Sequence, residues 1–186
     1  MKRPSLLAVA AAVTLTGAAV AAWAAAPQPS RPVAASFYSG RWYEIARVPN
    51  AGQRDCQAPE SQFARLGGEG DASFISDRGE FSVRQVCRRG SPSGAAKVFA
   101  TRGRILPGGR NAKFEMSFFG GIKKQEYWVL DTSPDGGWAL MATPGGNYIW
   151  LLSRKTVMPA AVKAAAVARI RALGYRQKLE FPAQAG

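Results

Sequence analysis

The stretch of sequence that decides the fold is Gly40-Arg41-Trp42-Tyr43-Glu44-Ile45-Ala46-Arg47. Glycine permits a tight backbone entry that a Cβ atom would obstruct. The Trp-Tyr-Glu-Ile alternation that follows it is typical of a β-strand with one buried face. The stretch therefore predicts a strand that begins at a sharp turn and carries a large indole near its start.

About eight short runs of this kind recur from Trp42 onward, each of them apolar or alternating between apolar and polar residues. Clusters of Gly, Pro, Asp and Asn separate the runs. This pattern indicates an all-β, antiparallel domain. The predicted strands lie near 42–47, 59–66, 80–88, 96–105, 112–118, 125–131, 137–142 and 147–153.

The connections between most of these runs are short, as in Pro134-Asp135-Gly136-Gly137 and Pro144-Gly145-Gly146-Asn147. Short turns of this composition favour hairpins between neighbouring strands. Up-and-down strands favour a closed eight-stranded barrel, because closure leaves no exposed sheet edge. A β-sandwich is the alternative, and it would need longer connections between its two sheets.

One segment after the strands has the periodicity of a helix. Pro159 suits a first helical position, and Gly174 suits a left-handed C-terminal cap. Between them the apolar residues recur on one stripe, which predicts one helix packed outside the barrel. The stripe consists of Val162, Ala166, Ile170 and Leu173. The alternation from Tyr175 to Phe181 predicts a short final strand.

The N-terminal residues have the pattern of a secretory signal. A basic start, Met1-Lys2-Arg3, precedes an apolar middle of Leu, Ala, Val and Thr, and Ala22 and Ala24 fit a cleavage site after Ala24. A membrane anchor is the rival interpretation, but the apolar run is short and rich in Ala. We therefore expect a signal peptide at 1–24, an extended proline-rich leader at 25–36, the domain at 37–182 and a tail at 183–186.

Export predicts oxidising surroundings for the only two cysteines, Cys56 and Cys87. A disulfide is favoured over a metal site or a nucleophile, and two separate buried thiols are the alternative. The signal and the residues just after it contain no cysteine that could carry a lipid. The sequence thus predicts an exported protein, periplasmic or secreted, that is soluble and not lipid-anchored.

The chain is strongly basic, with a formal charge of +13, of which Lys2 and Arg3 supply two, leaving +11. Such a charge favours anionic ligands, an anionic membrane surface or nucleic acid. The arginines are scattered and form no dense run, so no specific nucleic acid is expected as a partner. Those considered are Arg84, Arg88, Arg89, Arg102, Arg104 and Arg110.

Three segments in this order resemble the motifs of the lipocalin family, in its bacterial type. They are Gly40-Arg41-Trp42 with its continuation to Arg47, Tyr127-Trp128-Val129-Leu130-Asp131, and Tyr148-Ile149-Trp150-Leu151-Leu152-Ser153-Arg154. The similarity spans roughly 37–182. Two departures are visible, because the turn after Asp131 lacks the usual Tyr and the lipoprotein cysteine of some bacterial relatives is missing. The resemblance implies an eight-stranded calyx.

The resemblance also implies roles for particular residues. Trp42 would plug the closed end of the barrel, and the guanidinium of Arg154 would lie across its indole. Gly40 and Asp131 complete this structural group. None of the four is expected to bind a ligand.

Period-two alternation, together with the resemblance, predicts a cavity wall. The residues predicted to face the cavity and bind a ligand are Glu44, Ala46, Tyr127, Val129, Leu140, Tyr148, Trp150 and Leu152. Glu44 is the exception among apolar neighbours, and burial would require a partner such as an arginine, which favours a structural ion pair over a ligand contact. A barrel filled by its own side chains is the alternative to an open calyx.

No catalytic constellation is visible. The chain contains no histidine, so the commonest general base and the commonest metal ligand are both missing. We expect no enzyme activity, no cofactor and no metal. The predicted function is to carry a small lipophilic ligand such as a fatty acid or lysophospholipid, and the alternatives are an interaction protein with a filled barrel or a nucleic-acid-binding barrel.

Overall fold

Eight antiparallel strands follow one another around a closed barrel, and the first strand pairs with the last. The computed structural model describes residues 25–65 and 79–185. The strands are β1 Gly40–Arg47, β2 Cys56–Arg65, β3 Glu80–Arg89, β4 Ala96–Ile105, β5 Lys113–Phe118, β6 Lys123–Thr132, β7 Trp138–Ala142 and β8 Ile149–Ser153. The predicted eight-stranded barrel is confirmed. The predicted signal peptide, 1–24, lies outside the described residues.

Three β-bulges interrupt the pairing of the described strands, and two of them change which of the predicted cavity residues face the barrel interior. The pairing of β1 with β8 shifts between Glu44 and Ala46. The pairing of β6 with β7 shifts between Val129 and Asp131. A bulge inserts one extra residue, so the alternation of inward and outward side chains changes phase at that point.

The barrel wall separates two apolar cores. The inner core fills the closed end of the barrel, and the outer core lies between the wall and the helix α1 (Ala160–Ala172). Parts of β1, β6, β7 and β8 are therefore apolar on both faces. The outer core includes Ile45, Leu130, Leu151, Ala166 and Ile170.

Helix α1 follows the sequence prediction closely. The helix begins one residue later than predicted, so Pro159 is its N-cap and not its first residue. Gly174 adopts a φ of +96° just beyond its end. The Gly174 N–H donates to the carbonyl of Arg171, which satisfies part of the helix C-terminus. Along the predicted stripe, Ala166 and Ile170 are fully buried, whereas Val162 is 38% exposed.

Both ends of the described chain lie against the barrel. In the leader, the N–H of Ala26 donates to Pro144 and the N–H of Val33 donates to Arg110, and both residues are buried. The predicted final strand is reduced to a single β-bridge between Arg47 and Glu180. Each of these two residues donates its N–H to the carbonyl of the other, at 3.0 and 2.8 Å.

Candidate functional site

The closed end of the barrel is built around Trp42, which is 1% exposed. Its indole N–H donates to the carbonyl of Phe37 at 2.8 Å. The guanidinium carbon of Arg154 lies 3.7 Å from the centre of the indole ring. Arg154 also donates to the carbonyls of Ser36, Ser39 and Arg41, so it fastens the turn before β1 to the end of β8.

A cluster of aromatic rings completes this floor. The ring of Tyr38 lies 4.9 Å from that of Phe81, and Phe63 stacks on Phe81 at 5.7 Å. The hydroxyl of Tyr38 donates to the carbonyl of Asn111, and burial raises the pKa of this phenol. Gly103 on β4 accommodates the cluster, because a Cβ there would stand 2.3 Å from the Phe81 ring. The lower barrel is thus filled by side chains.

Above the floor the barrel encloses a cavity of about 510 Å³. Aromatic and aliphatic side chains form most of its wall, with a few polar groups among them. This is the composition usual for sites that hold small organic molecules. The apolar lining includes Trp42, Phe63, Val83, Val98, Phe99, Met116, Phe118, Tyr127, Met141, Trp150 and Leu152.

Four of the residues predicted to bind a ligand line this cavity: Glu44, Tyr127, Trp150 and Leu152. Val129 faces inward but lies in the floor cluster, 2% exposed. Tyr148 is half-buried, and its ring lies 6.1 Å from that of Trp150. A role in ligand binding remains a prediction for all of these residues.

The prediction that Ala46 and Leu140 face the cavity is wrong, because both lie in the outer core. The bulge after Glu44 turns Ala46 outward. The bulge in β6 shifts its register with β7, so that Val129 pairs with Met141 and Asp131 pairs with Leu140. Residues directly opposite each other share a face, so Met141 faces inward and Leu140 packs outside.

Sequence reasoning missed the half of the wall that β2 to β5 supply. Phe63, Val83, Thr101 and Met116 line the cavity from these strands. Phe81-x-Val83-x-Gln85 and Phe114-x-Met116-x-Phe118 both alternate in the sequence. The same alternation of inward and outward side chains that was used for β1 and β8 would have identified the inward residues of these runs.

A buried polar network forms one side of the cavity. Glu44 is 8% exposed, and its two carboxylate oxygens accept from Arg47 Nη1 at 2.7 Å and from Gln53 Nε2 at 2.6 Å. Gln53 Oε1 in turn accepts from the indole N–H of Trp150 at 2.9 Å and from Asn50. Burial raises the pKa of Glu44, while Arg47 and Gln53 act in the opposite direction. Glu44 is therefore held in the structural ion pair that the sequence favoured.

Arg47 is the centre of this network and is 0% exposed. Besides Glu44, it binds both carboxylate oxygens of Glu180, at 2.8 and 3.1 Å. It also donates to the carbonyls of Gln53 and Cys56. Burial opposes protonation of Arg47, but Glu180 and Glu44 together raise its pKa above that of a free arginine. One side chain thus joins β1, the loop that follows it and the C-terminal segment.

Two aromatic residues connect the floor to this network. The Tyr127 ring stacks on Phe114 at 5.5 Å and lies 5.8 Å from Trp150. Burial raises the pKa of Tyr127 to about 12, so the phenol is neutral at physiological pH. It can serve as a hydrogen-bond donor to a ligand without adding a charge to the cavity.

The mouth of the barrel carries the predicted disulfide, which is confirmed between Cys56 and Cys87. Cys87 and Phe99 border both the cavity and a neighbouring hollow. Arg54, Arg89 and Lys97 surround that hollow, together with the acidic Asp55. Among the described lining residues of the inner cavity, by contrast, there is no lysine or arginine. The positive charge is therefore at the entrance.

Asp131 is placed outside the barrel, where it joins the wall to the helix. Its Oδ2 accepts from Arg169 Nε on α1 at 2.7 Å, and its Oδ1 accepts from the N–H of Thr132. Gly40, with a φ of +68°, would bring a Cβ to 3.4 Å from Arg154 Nη1. Within 25–65 and 79–185, no group of three or more His, Cys, Asp or Glu residues could hold a metal ion.

Comparison with known proteins places this arrangement in a family. The family model for the lipocalin-like domain matches residues 33–184. Temperature-induced lipocalin-1 of Arabidopsis thaliana is 28% identical over 127 residues, which is 65% of this chain and 62% of the plant protein. This chain thus matches less than two thirds of that relative's length.

Solved structures share the fold at low sequence identity. Insecticyanin of the tobacco hornworm Manduca sexta superimposes with a TM-score of 0.63 at 17% identity, over 85% of this chain and 84% of that chain. Lobster apocrustacyanin A1 gives 0.58 at 12%, over 81% and 79%. The siderocalin Ex-FABP, described as having dual ligand specificities, gives 0.55 at 16%, over 81% and 97%. The barrel, its plugged floor and the extent of the family match together show that this chain belongs to the lipocalin family.

Proposed function

We propose that this protein binds a small hydrophobic or amphipathic molecule, such as a fatty acid or lysophospholipid, inside the barrel and carries it. The observation that carries this proposal is the apolar cavity of about 510 Å³ above a floor filled by aromatic rings. This volume lies within the ~300–1,000 Å³ typical of small-molecule sites.

The distribution of charge favours one orientation of an amphipathic ligand. Both oxygens of Glu44 are already bonded, and Arg47 neutralises them, so this group is not expected to hold a polar head. The acyl chain would lie against the apolar wall between Trp42 and Trp150. An anionic head would lie at the mouth, near Arg54, Arg89 and Lys97.

Burial of the ligand chain supplies the driving force for binding. Each buried methylene contributes about 0.8 kcal/mol, so ten of them contribute about 8 kcal/mol before the costs of association. Affinity should therefore rise with chain length until the cavity is full. No step of this function requires catalysis, and binding is proposed in place of an enzymatic activity.

We also propose that the carrier acts outside the cytoplasm, in the periplasm or after secretion. The signal-like pattern at 1–24 and the Cys56–Cys87 disulfide support this location. Within the described ranges, no helix is long and apolar enough to cross a membrane.

The test is titration of the delipidated protein with a fluorescent fatty acid, with displacement by unlabelled fatty acids. Met141→Trp adds bulk inside the cavity and should reduce saturable uptake about tenfold, because the smaller site excludes about two methylenes of the ligand at about 0.8 kcal/mol each. Val157→Trp is the matched control, since Val157 is 73% exposed after β8 and does not line the cavity. Absence of saturable uptake by the wild type, or equal uptake by the two variants, would refute the proposal. Mass spectrometry of ligands extracted from the native protein would identify the ligand class.

A further inference from the structure

We propose that the loop between β5 and β6 is a docking surface for an anionic lipid bilayer. This docking loop comprises Phe119 to Ile122, between the end of β5 and the start of β6. Ile122 is 90% exposed and Phe119 is 71% exposed. Scattered single apolar residues are normal on a surface, but here two large ones project from one short loop.

The backbone of the loop holds its aromatic side chain in an unusual conformation. Phe119 has a φ of +53°, in the left-handed region that a bulky side chain rarely adopts. Gly120 and Gly121, with φ values of +68° and +99°, continue the turn. The neighbouring Phe118 is half-buried and lines the cavity. The chain thus keeps one phenylalanine at the barrel entrance and exposes the next.

Positive charge lies next to these apolar side chains and elsewhere at the same end of the barrel. Lys123 and Lys124 follow the loop directly, and both are exposed, although Lys124 also lies 3.3 Å from Glu115. In an up-and-down barrel, the connections after β1, β3 and β5 lie at the same end. Arg54 follows β1, Arg89 ends β3 and Lys97 begins β4, so these cations share the end that carries the docking loop.

An anionic bilayer fits this combination better than a protein partner does. Apolar side chains that insert at the level of the head groups, with basic residues around them, bind membranes through two additive contributions. A second copy of this chain would present the same cations and repel the first.

The docking loop lies beside the entrance to the cavity, because Phe118, Phe119 and Gly120 all contribute to its lining. A barrel docked by this end would open towards the acyl chains of the bilayer. This last step, exchange of a ligand with the membrane, rests on the proposed function. The docking itself rests only on the exposed side chains and the charge.

A dye attached to the loop tests the docking directly. Ile122→Cys is labelled with an environment-sensitive fluorophore and mixed with vesicles of phosphatidylglycerol and phosphatidylcholine, or with phosphatidylcholine alone. The emission should shift to the blue and rise several-fold with the anionic vesicles. Val157→Cys is the matched control, since it is 73% exposed, follows β8 and lies at the opposite end of the barrel. Residues 1–24 are common to both proteins and cannot produce a difference between them.

Substitutions in the unlabelled chain measure how much individual side chains contribute to binding of anionic vesicles. Ile122→Ser should lower partitioning onto the anionic vesicles about tenfold or more, because burial of its side chain is lost. Lys123→Gln should lower it about fivefold. No spectral change at position 122, an equal change at position 157, or wild-type partitioning of Ile122→Ser would overturn the proposal. Dimers that Ile122→Ser abolishes, without vesicle binding, would also overturn it in favour of a second copy as the partner.

Fatty-acid uptake without vesicles separates this proposal from the proposed function. Ile122 does not line the cavity, so Ile122→Ser should take up a fluorescent fatty acid as the wild type does. If the wild type shows no uptake while the dye at position 122 still responds to anionic vesicles, the carrier function fails and the docking stands. The opposite result overturns the docking alone.

Discussion

Replacement of Arg47 by methionine is the sharpest test of how the candidate site is held together. Methionine keeps much of the apolar stem and removes the guanidinium. The buried Glu44 would then lose the donor at 2.7 Å, and the carbonyls of Gln53 and Cys56 would lose theirs. Breaking a buried ion pair from one side typically costs ~3–5 kcal/mol.

This magnitude should be visible in thermal and denaturant unfolding. For a protein of about 150–250 residues, 1 kcal/mol shifts Tm by about 2–4 °C, so Arg47→Met should lower Tm by roughly 6–20 °C. The double variant Glu44→Gln/Arg47→Met should recover part of the loss, because it leaves no unpaired charge. The single variant Glu44→Gln provides the third corner of the double-mutant cycle.

The stability lost in Arg47→Met should also depend on pH, because Glu44 titrates. Burial raises the pKa of Glu44 in the folded state, so the folded protein binds this proton more tightly than the unfolded chain. Stability from this group is therefore fully present below its ordinary pKa of 4.5 and falls as the pH rises through the folded value. Without Arg47 the folded pKa should rise further, and Arg47→Met should lose more stability at pH 7 than at pH 4.5. A loss below about 1 kcal/mol, or a double variant no more stable than the single one, would refute this reasoning.

Three further outcomes follow from the fold. Trp42→Ala should lower the free energy of unfolding by ~3–5 kcal/mol in urea titration, because it empties the floor and frees the Phe37 carbonyl; full retention of stability would contradict its structural role. Replacing both Cys56 and Cys87 with serine opens a loop of sequence separation 31 and should lower the free energy of unfolding by about 3–4 kcal/mol relative to the oxidised wild type. Addition of reductant should destabilise the wild type by a similar amount and leave the double variant unchanged. Tyr127 should ionise with a pKa of about 12 in an absorbance titration that uses Tyr127→Phe for subtraction. Because this pKa lies above the unfolded value of 10.0, the stability it contributes is present below pH 10 and is lost between pH 10 and 12; an ordinary pKa would show that the ring is not buried.

The architecture could be predicted from the sequence because its signals are local and repeated. Alternation and turn residues marked every strand of the barrel, and Pro159 and Gly174 marked the helix. The contact between Trp42 and Arg154 could not be derived in this way, because 112 positions separate the two residues and only the family resemblance connected them. The structure then supplied the distances.

The cavity wall was predicted less well, for a physical reason. The bulges next to Ile45 and Leu130 are set by how two strands pair, and neither position carries a Gly or Pro that would mark a change of phase. Arg47 was missed for a similar reason. Its burial depends on Glu180, which approaches it from the far end of the chain, and no pattern near Arg47 indicates such a partner.

The closure of β1 on β8 has a consequence for how the chain is made. Tyr43 pairs with Ser153, so the ribosome must add about 110 residues between them, which takes roughly 5–20 s at ordinary synthesis rates. Until β8 emerges from the ribosome, one edge of β1 is unpaired. The ion pair between Arg47 and Glu180 can form only after that. The other seven pairings of the described strands join neighbours in the sequence, so closure of β1 on β8 is the strand pairing that forms over the longest loop and is expected to be slow. The barrel of the nascent chain therefore stays open until almost the whole domain has been synthesised.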